Sequence, residues 1–137
     1  MHLENNMQKS NYGEMKMDIE FESNGCKRIS TNRVTGLDDT THHGIDGVYE
    51  SSNPPPKFII AEAKYGSSRL GNTKDGKQMS DAWIDNRLDD AVGKAKADDI
   101  RLESVLSPEN VQRQLVNISR DGSVTSHLLD NFGNIIE

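Results

Sequence analysis

Apolar positions along this chain fall in short clusters, and their spacing divides it into alternating helical and extended segments. Tyr12, Met15 and Ile19 recur at helical spacing behind a possible cap at Asn11, predicting a helix that stops near Ser23-Asn24-Gly25. Lys27 to Ser30 reads as a short extended piece, and Thr31 to Gly44 as loop. Ile45 to Glu50 alternates like a strand. The break at Ser51-Ser52-Asn53-Pro54-Pro55-Pro56 cannot lie inside a sheet, because proline has no N–H to give a ladder. Phe58 to Lys64 opens on a continuous apolar run, the mark of a buried central strand.

Gly66 to Gly76 is a polar loop. Lys77 to Val92 carries Met79, Trp83, Ala82, Ile84, Leu88 and Ala91 and predicts the principal helix, broken at Gly93. A further helix is expected over 95–106, ending before Ser107-Pro108. Asn110 to Ser119 and Val124 to Leu129 read as strands joined by a hairpin at Ser119-Arg120-Asp121-Gly122-Ser123, with a turn or edge strand after Asn131. The order predicts an α/β (α+β) fold, a central mixed sheet flanked by helices. Residues 1–10 are polar, lack the apolar core of a signal peptide and read as a flexible leader. Residues 11–137 read as one domain.

Composition changes this picture little. Apolar residues are 33% of 137, and no run is long enough to cross a membrane. A single cysteine, Cys26, excludes an internal disulfide and a thiolate zinc cluster, and reads as a partly buried small side chain. The net charge of −6 argues against a uniformly basic nucleic-acid binder. Locally the balance reverses: from Lys57 to Gln78 five basic residues face two acidic ones, a net of +3.

The chemistry concentrates beside that basic stretch. Asp46 heads one apolar segment, and Glu62-Ala63-Lys64 closes the next. If the two segments pair, two carboxylates and an ammonium meet at one end of a sheet, with Glu62 and Lys64 on one face because strand side chains alternate. Asp46 alone, before a glycine, would read as a turn residue, and Glu62 and Lys64 alone as a solvated face. Their place at the end of a strand that reads as buried favours function, because burying charge is costly unless it is paired or bound to metal. Asp46, Glu62 and the Ala63 carbonyl offer hard oxygen donors for a divalent cation, Mg²⁺ first and Mn²⁺ or Zn²⁺ as alternatives. Lys64 would orient the attacking water. His42-His43 raises a rival His-based metal site, but the remaining histidines, His2 and His127, do not supply its frame, so the pair reads as a loop feature.

Four blocks in order carry a resemblance: Gly13-Glu14-Met15-Lys16-x-Asp18, Gly44-Ile45-Asp46-Gly47-Val48-Tyr49, Glu62-Ala63-Lys64-Tyr65-Gly66 and Gly76-Lys77-Gln78-Met79-Ser80-x-x-Trp83-Ile84. Together they resemble the PD-(D/E)XK nuclease superfamily, and within it the toxin domains of bacterial polymorphic and contact-dependent inhibition effectors, in particular the polymorphic nuclease effector (PoNe) DNases. Leu3-Glu4-Asn5-Asn6 is similar to the VENN peptide that precedes such toxin domains. The likeness covers roughly 11–90 and leaves the last third unplaced.

The resemblance implies a restriction-endonuclease-like core and a metal-dependent DNase. It implies the toxic tip of a larger secreted protein, delivered to the cytoplasm of a target bacterium and neutralised by a cognate immunity protein, and a monomer apart from that complex. It also implies that Glu14 approaches the metal site from the first helix and that Gln78, at the start of the long helix, contacts phosphate or Lys64. The superfamily's aromatic four residues after that Gln is not matched, since position 82 is Ala and the aromatic is Trp83. Tyr65, Arg69, Lys74 and Lys77 are candidate substrate contacts, although Tyr65 also reads as a packing residue, and Trp83 as core. An RNase or tRNase on the same scaffold, or a non-catalytic nucleic-acid-binding module, are the alternatives.

Overall fold

The computed structural model describes residues 2–40 and 43–137. Helix α1 spans Asn6–Ser23 and is followed by strands β1 (Cys26–Arg28), β2 (Gly47–Ser51) and β3 (Phe58–Tyr65). A two-stranded ribbon, β4 (Asn72–Thr73) and β5 (Gly76–Lys77), precedes helices α2 (Asp81–Val92) and α3 (Lys94–Leu106). Strands β6 (Val111–Ile118) and β7 (Val124–Leu128) complete a five-stranded sheet in the order β1-β2-β3-β6-β7. The β3–β6 pair is parallel and the other pairs are antiparallel. The expected mixed α+β class is therefore observed.

Strand β3 sits at the centre and separates two apolar clusters. Phe58 and Ile60 pack with Trp83, Leu88 and Ile100 on the α2/α3 side. Ile59 and Ala61 pack with Met17, Phe21 and Val116 on the α1 side. This alternation is the period-two rule of a strand buried on both faces. The hairpin between β6 and β7 forms as read, with Ser119 N–H donating to Ser123 O at 2.8 Å. Gly93 separates α2 from α3 at φ +84°, a conformation that favours glycine. Cys26 is partly buried, as expected.

Two helices differ from the sequence reading. Helix α1 begins at Asn6, so residues 6–10, read as part of a leader, form its first turns. Its cap is Asn5, whose side chain accepts the Gln8 N–H at 2.8 Å. Asn11, read as the cap, is buried within the helix and donates from Nδ2 to Leu37 O and Asp39 O. The buried face runs through Gly13, Met17 and Phe21 rather than Ile19, which is 61% exposed.

Helix α2 begins at Asp81, not Lys77. The C-terminal tail takes up the backbone ahead of it. Ser80 bridges to Phe132, and Asp81 N–H donates to Asn131 O. Met79, at φ +73°, turns its side chain fully into the core. A continuous helix from Lys77 is incompatible with that turn.

Candidate metal-dependent active site

The site begins with a difference in strand length. Strand β2 pairs with β3 only from Glu50↔Phe58 to Gly47↔Ala61. Strand β3 runs on for four residues, Glu62 to Tyr65, paired on its other side with β6. Among the described residues no strand pairs with this extension on the β2 side, which leaves a gap in the sheet with Asp46 at its corner. Asp46 Oδ2 accepts the Ala63 N–H at 2.9 Å, and Asp46 N–H donates to Glu62 Oε1 at 2.8 Å. Each carboxylate is thus fixed by the backbone of the residue beside or bearing the other. Because a strand residue turns its N–H and C=O to the same side, the Ala63 carbonyl also faces the gap.

Glu62 and Lys64 follow Phe58 and Ile60 onto the α2 face of β3. Helix α1 covers the opposite face, with its backbone at Gly13 against Ala63 and Tyr65. A cleft of about 520 Å³ wraps round the gap from one face to the other. Glu14, Asp46, Glu62, Ala63, Lys64, Tyr65 and Gln78 all line it.

Glu62 is the electrostatic centre. It is 2% exposed. Burial pushes its carboxyl well above the usual carboxylate range, and the negative charge of Asp46 pushes it further. The Asp46 N–H and the Lys64 ammonium act the other way, and Glu14 adds to the rise. The acids around Glu62 outnumber the Lys64 ammonium, and a divalent cation would offset their charge. The donors are all oxygen, which fits a hard divalent ion such as Mg²⁺. Among the described residues no group of three or more His, Cys, Asp or Glu stands ready to hold a metal, so Glu14, Asp46 and Glu62 form no closed cage. Mg²⁺ needs none, since it is commonly held by one or two carboxylates and retains several waters.

Other expected residues are placed differently. Gln78 lies before α2, not on it, and its Oε1 accepts the Gly71 N–H at 2.9 Å, so it ties the loop after β3 to β5 while lining the cleft. Tyr65 meets Tyr12 edge-on at 6.0 Å between centroids. Trp83 is core, 2% exposed, and one edge of it reaches the cleft. Arg69 and Lys77 line a neighbouring groove instead, and Lys74 lines neither cavity. His43 lines the cleft, whereas His42 lies outside the described residues.

Sequence reasoning missed several groups. Asn6 and Ser10, eight and four residues before the expected Glu14 on α1, reach the cleft with it, together with Lys9. The signal was there in Asn5-x-x-Gln8, a helix-start pattern of the capping-box kind. Arg87 also lines the cleft; it lies over the Trp83 ring at 4.7 Å and pairs with Asp75 at 3.1 Å.

Behind the site lies a buried polar relay. Arg28 Nη1 donates to Asp18 Oδ1 at 2.8 Å, Nε to Ser30 O, and Nη2 to Thr31 O and to Asp46 O at 3.0 Å. The Tyr49 hydroxyl also donates to Asp18. Burial and the Asp18 charge push the Tyr49 phenol far up, so it stays a neutral donor. Arg28 therefore couples α1, through Asp18, to the backbone of Asp46. Compared with protein-family models, with curated proteins and with solved structures, the chain matches none.

Proposed function

We propose that this chain is a metal-dependent endonuclease acting on DNA. The observation that carries the reading is the mutually locked Asp46–Glu62 pair at the open edge of β3, with Lys64 two residues on along the same strand. A buried carboxylate with its carboxyl raised by a second acid is unfavourable for stability alone, which favours a functional role. The order of the four sequence blocks, and the way their residues converge on one cleft, support kinship with PD-(D/E)XK nucleases of the polymorphic-effector type. On that reading the domain is the toxic module of a secreted antibacterial protein, delivered into a target cell and held in check by an immunity protein.

Asp46, Glu62 and the Ala63 carbonyl would hold the cation, with Glu14 at the side. When bound, a divalent ion supplies charge neutralisation at the phosphate and a water acidic enough to attack at neutral pH. The chain's own groups do the rest. The Ala63 N–H fixes the orientation of the Asp46 carboxylate. The Lys64 ammonium, on the Glu62 face, orients the attacking water and offsets negative charge growing on the phosphate. Lys9 and Arg87, at the cleft's two walls, draw the phosphate backbone in.

The test is cleavage of plasmid DNA and, in parallel, of total tRNA, with Mg²⁺ or EDTA and with Lys64→Ala alongside. Mg²⁺-dependent loss of plasmid that needs Lys64 is the expected result. Loss of tRNA with intact plasmid would move the target to RNA. Absence of both would reject catalysis in favour of a binding module.

A further inference from the structure

We infer that a second groove, next to the cleft, holds an unstacked nucleotide of the substrate strand, so that the enzyme acts on single-stranded or locally opened DNA. The inference rests on the nuclease reading for its substrate, and on a separate set of residues for its evidence.

The groove has a volume of about 510 Å³ and shares Ser68 with the catalytic cleft. That size suits a ligand of nucleotide dimensions. Its composition is unlike the rest of the molecule. The chain carries 22 acidic residues against 16 basic ones, yet the groove is lined by Arg69 and Lys77 and by no carboxylate. Lys77 Nζ is steadied at the rim by Asn134 Oδ1 at 3.0 Å. Asp130, which feels the Lys77 charge from outside the groove lining, accepts the N–H groups of Phe132 and Asn134, each at 2.9 Å. Two cations in a groove lined by no carboxylate favour an anion.

The groove is not simply a basic strip. Leu70, Leu115 and Ile135 give it an apolar surface. Ile135 is 55% exposed, which leaves its side chain open to a ligand. Asn117 adds an amide, and it pairs in register with Lys64 on the neighbouring strand. Leu115 pairs likewise with Glu62. Paired residues of parallel strands share a face, so the groove continues the face that bears the catalytic side chains. An anion site, an apolar surface and an amide side by side match the three parts of a nucleotide: phosphate, base face and base edge. In a duplex the base faces are covered by their stacked neighbours and cannot reach such a surface. Only an unpaired base can.

The experiment compares a fluorescent single-stranded oligonucleotide with the same sequence as a duplex, using wild type and the double variant Arg69→Gln/Lys77→Gln, the fold of each checked by circular dichroism. Gln keeps a donor for Asn134. Binding is read by anisotropy in EDTA, where nothing is cut, and cleavage is read separately in Mg²⁺ or Mn²⁺. Wild type should bind the single strand at least about tenfold more tightly than the duplex, and the double variant should lose about tenfold of that affinity. In cleavage the loss should fall on KM, with kcat kept within about threefold. Equal or tighter binding of duplex, or unchanged single-strand affinity in the variant, overturns the groove. Bis(4-nitrophenyl) phosphate, too small to span both cavities, tests the other premise. If wild type hydrolyses neither it nor the oligonucleotide, the nuclease reading fails, while the anisotropy result still decides whether the groove takes a single strand.

Discussion

Glu62 concentrates the cost and the use of this site in one side chain. In the metal-free protein its carboxyl is raised by burial and by Asp46, so folding favours the protonated form. The sign follows: stability is fully present below the ordinary glutamate range near 4.5 and is lost as pH rises toward the raised value. Glu62→Gln removes that slope, and Gln still accepts the Asp46 N–H. The variant should therefore melt higher than wild type at pH 7 to 8 in EDTA, by several degrees for each kcal/mol relieved, while cutting nothing. A lower Tm for Glu62→Gln would remove the argument that this charge is kept for function. Asp46 needs a different substitution. Asp46→Ala leaves the Ala63 N–H without its acceptor, at about 1–3 kcal/mol, whereas Asp46→Asn can keep the bond through its amide oxygen. Both should be inactive, and only the alanine variant should be markedly destabilised in thermal melts. These residues were legible in sequence because charge following a buried apolar run is conspicuous. Arg28 and Asp18 were not, since an acid on a helix and a base on a short strand look like ordinary surface residues until the fold buries them together.

Elements explain both what was read correctly and what was not. The strands of the sheet stood out because apolar runs bounded by Pro54-Pro55-Pro56 or by Asp121-Gly122 have a local cause. The starts of α1 and α2 did not. Helix α1 buries Asn11, Glu14 and Asp18 along with Met17 and Phe21, so its buried face is half polar and shows little amphipathic pattern. The start of α2 is set by the distant tail, through the Ser80–Phe132 bridge. That coupling is tested at Gly133. Its φ is +77°, and an added Cβ would come within 2.6 Å of Gln78 O, so Gly133→Ala should cost about 1–3 kcal/mol and lower Tm measurably. An unchanged Tm would mean that the tail does not brace Gln78–Ser80. The Arg28 relay is tested by kinetics. Arg28→Lys keeps the charge beside Asp18 but cannot reach Ser30, Thr31 and Asp46 at once. It should lower kcat on the order of 10–100-fold through the displaced Asp46, with KM little changed. A loss confined to Tm would make Arg28 structural only.

At the scale of the molecule, the proposed function requires an acidic protein to attract a polyanion. The net charge of −6 does not decide this, because charges more than a Debye length from the bound phosphates are largely screened at physiological salt. What counts is the array at the open edge of β3: Lys9 and Arg87 on the cleft walls, Lys64 within it, and Arg69 and Lys77 in the groove beyond. Much of the acid is tied up elsewhere, as where Arg101 joins Asp85 and Asp89 of α2 to Asp98 of α3. The last third of the chain, mute as sequence, has a part in this array: β6 and the tail supply Leu115, Asn117, Gly133 and Ile135 to the groove. No short motif announces such a surface, because it is assembled from segments far apart in the chain. The arrangement makes a quantitative prediction. Each phosphate neutralised on a single strand contributes about 0.7 to the slope of log affinity against log salt. If three to five of these cations meet phosphates, single-strand affinity measured in EDTA should fall with a slope of roughly −2 to −3.5. Removing Arg69 and Lys77 should flatten that slope by about 1.4 as well as weaken binding. A double variant that binds more weakly at every salt concentration with an unchanged slope would show that these two side chains shape the groove without touching phosphate.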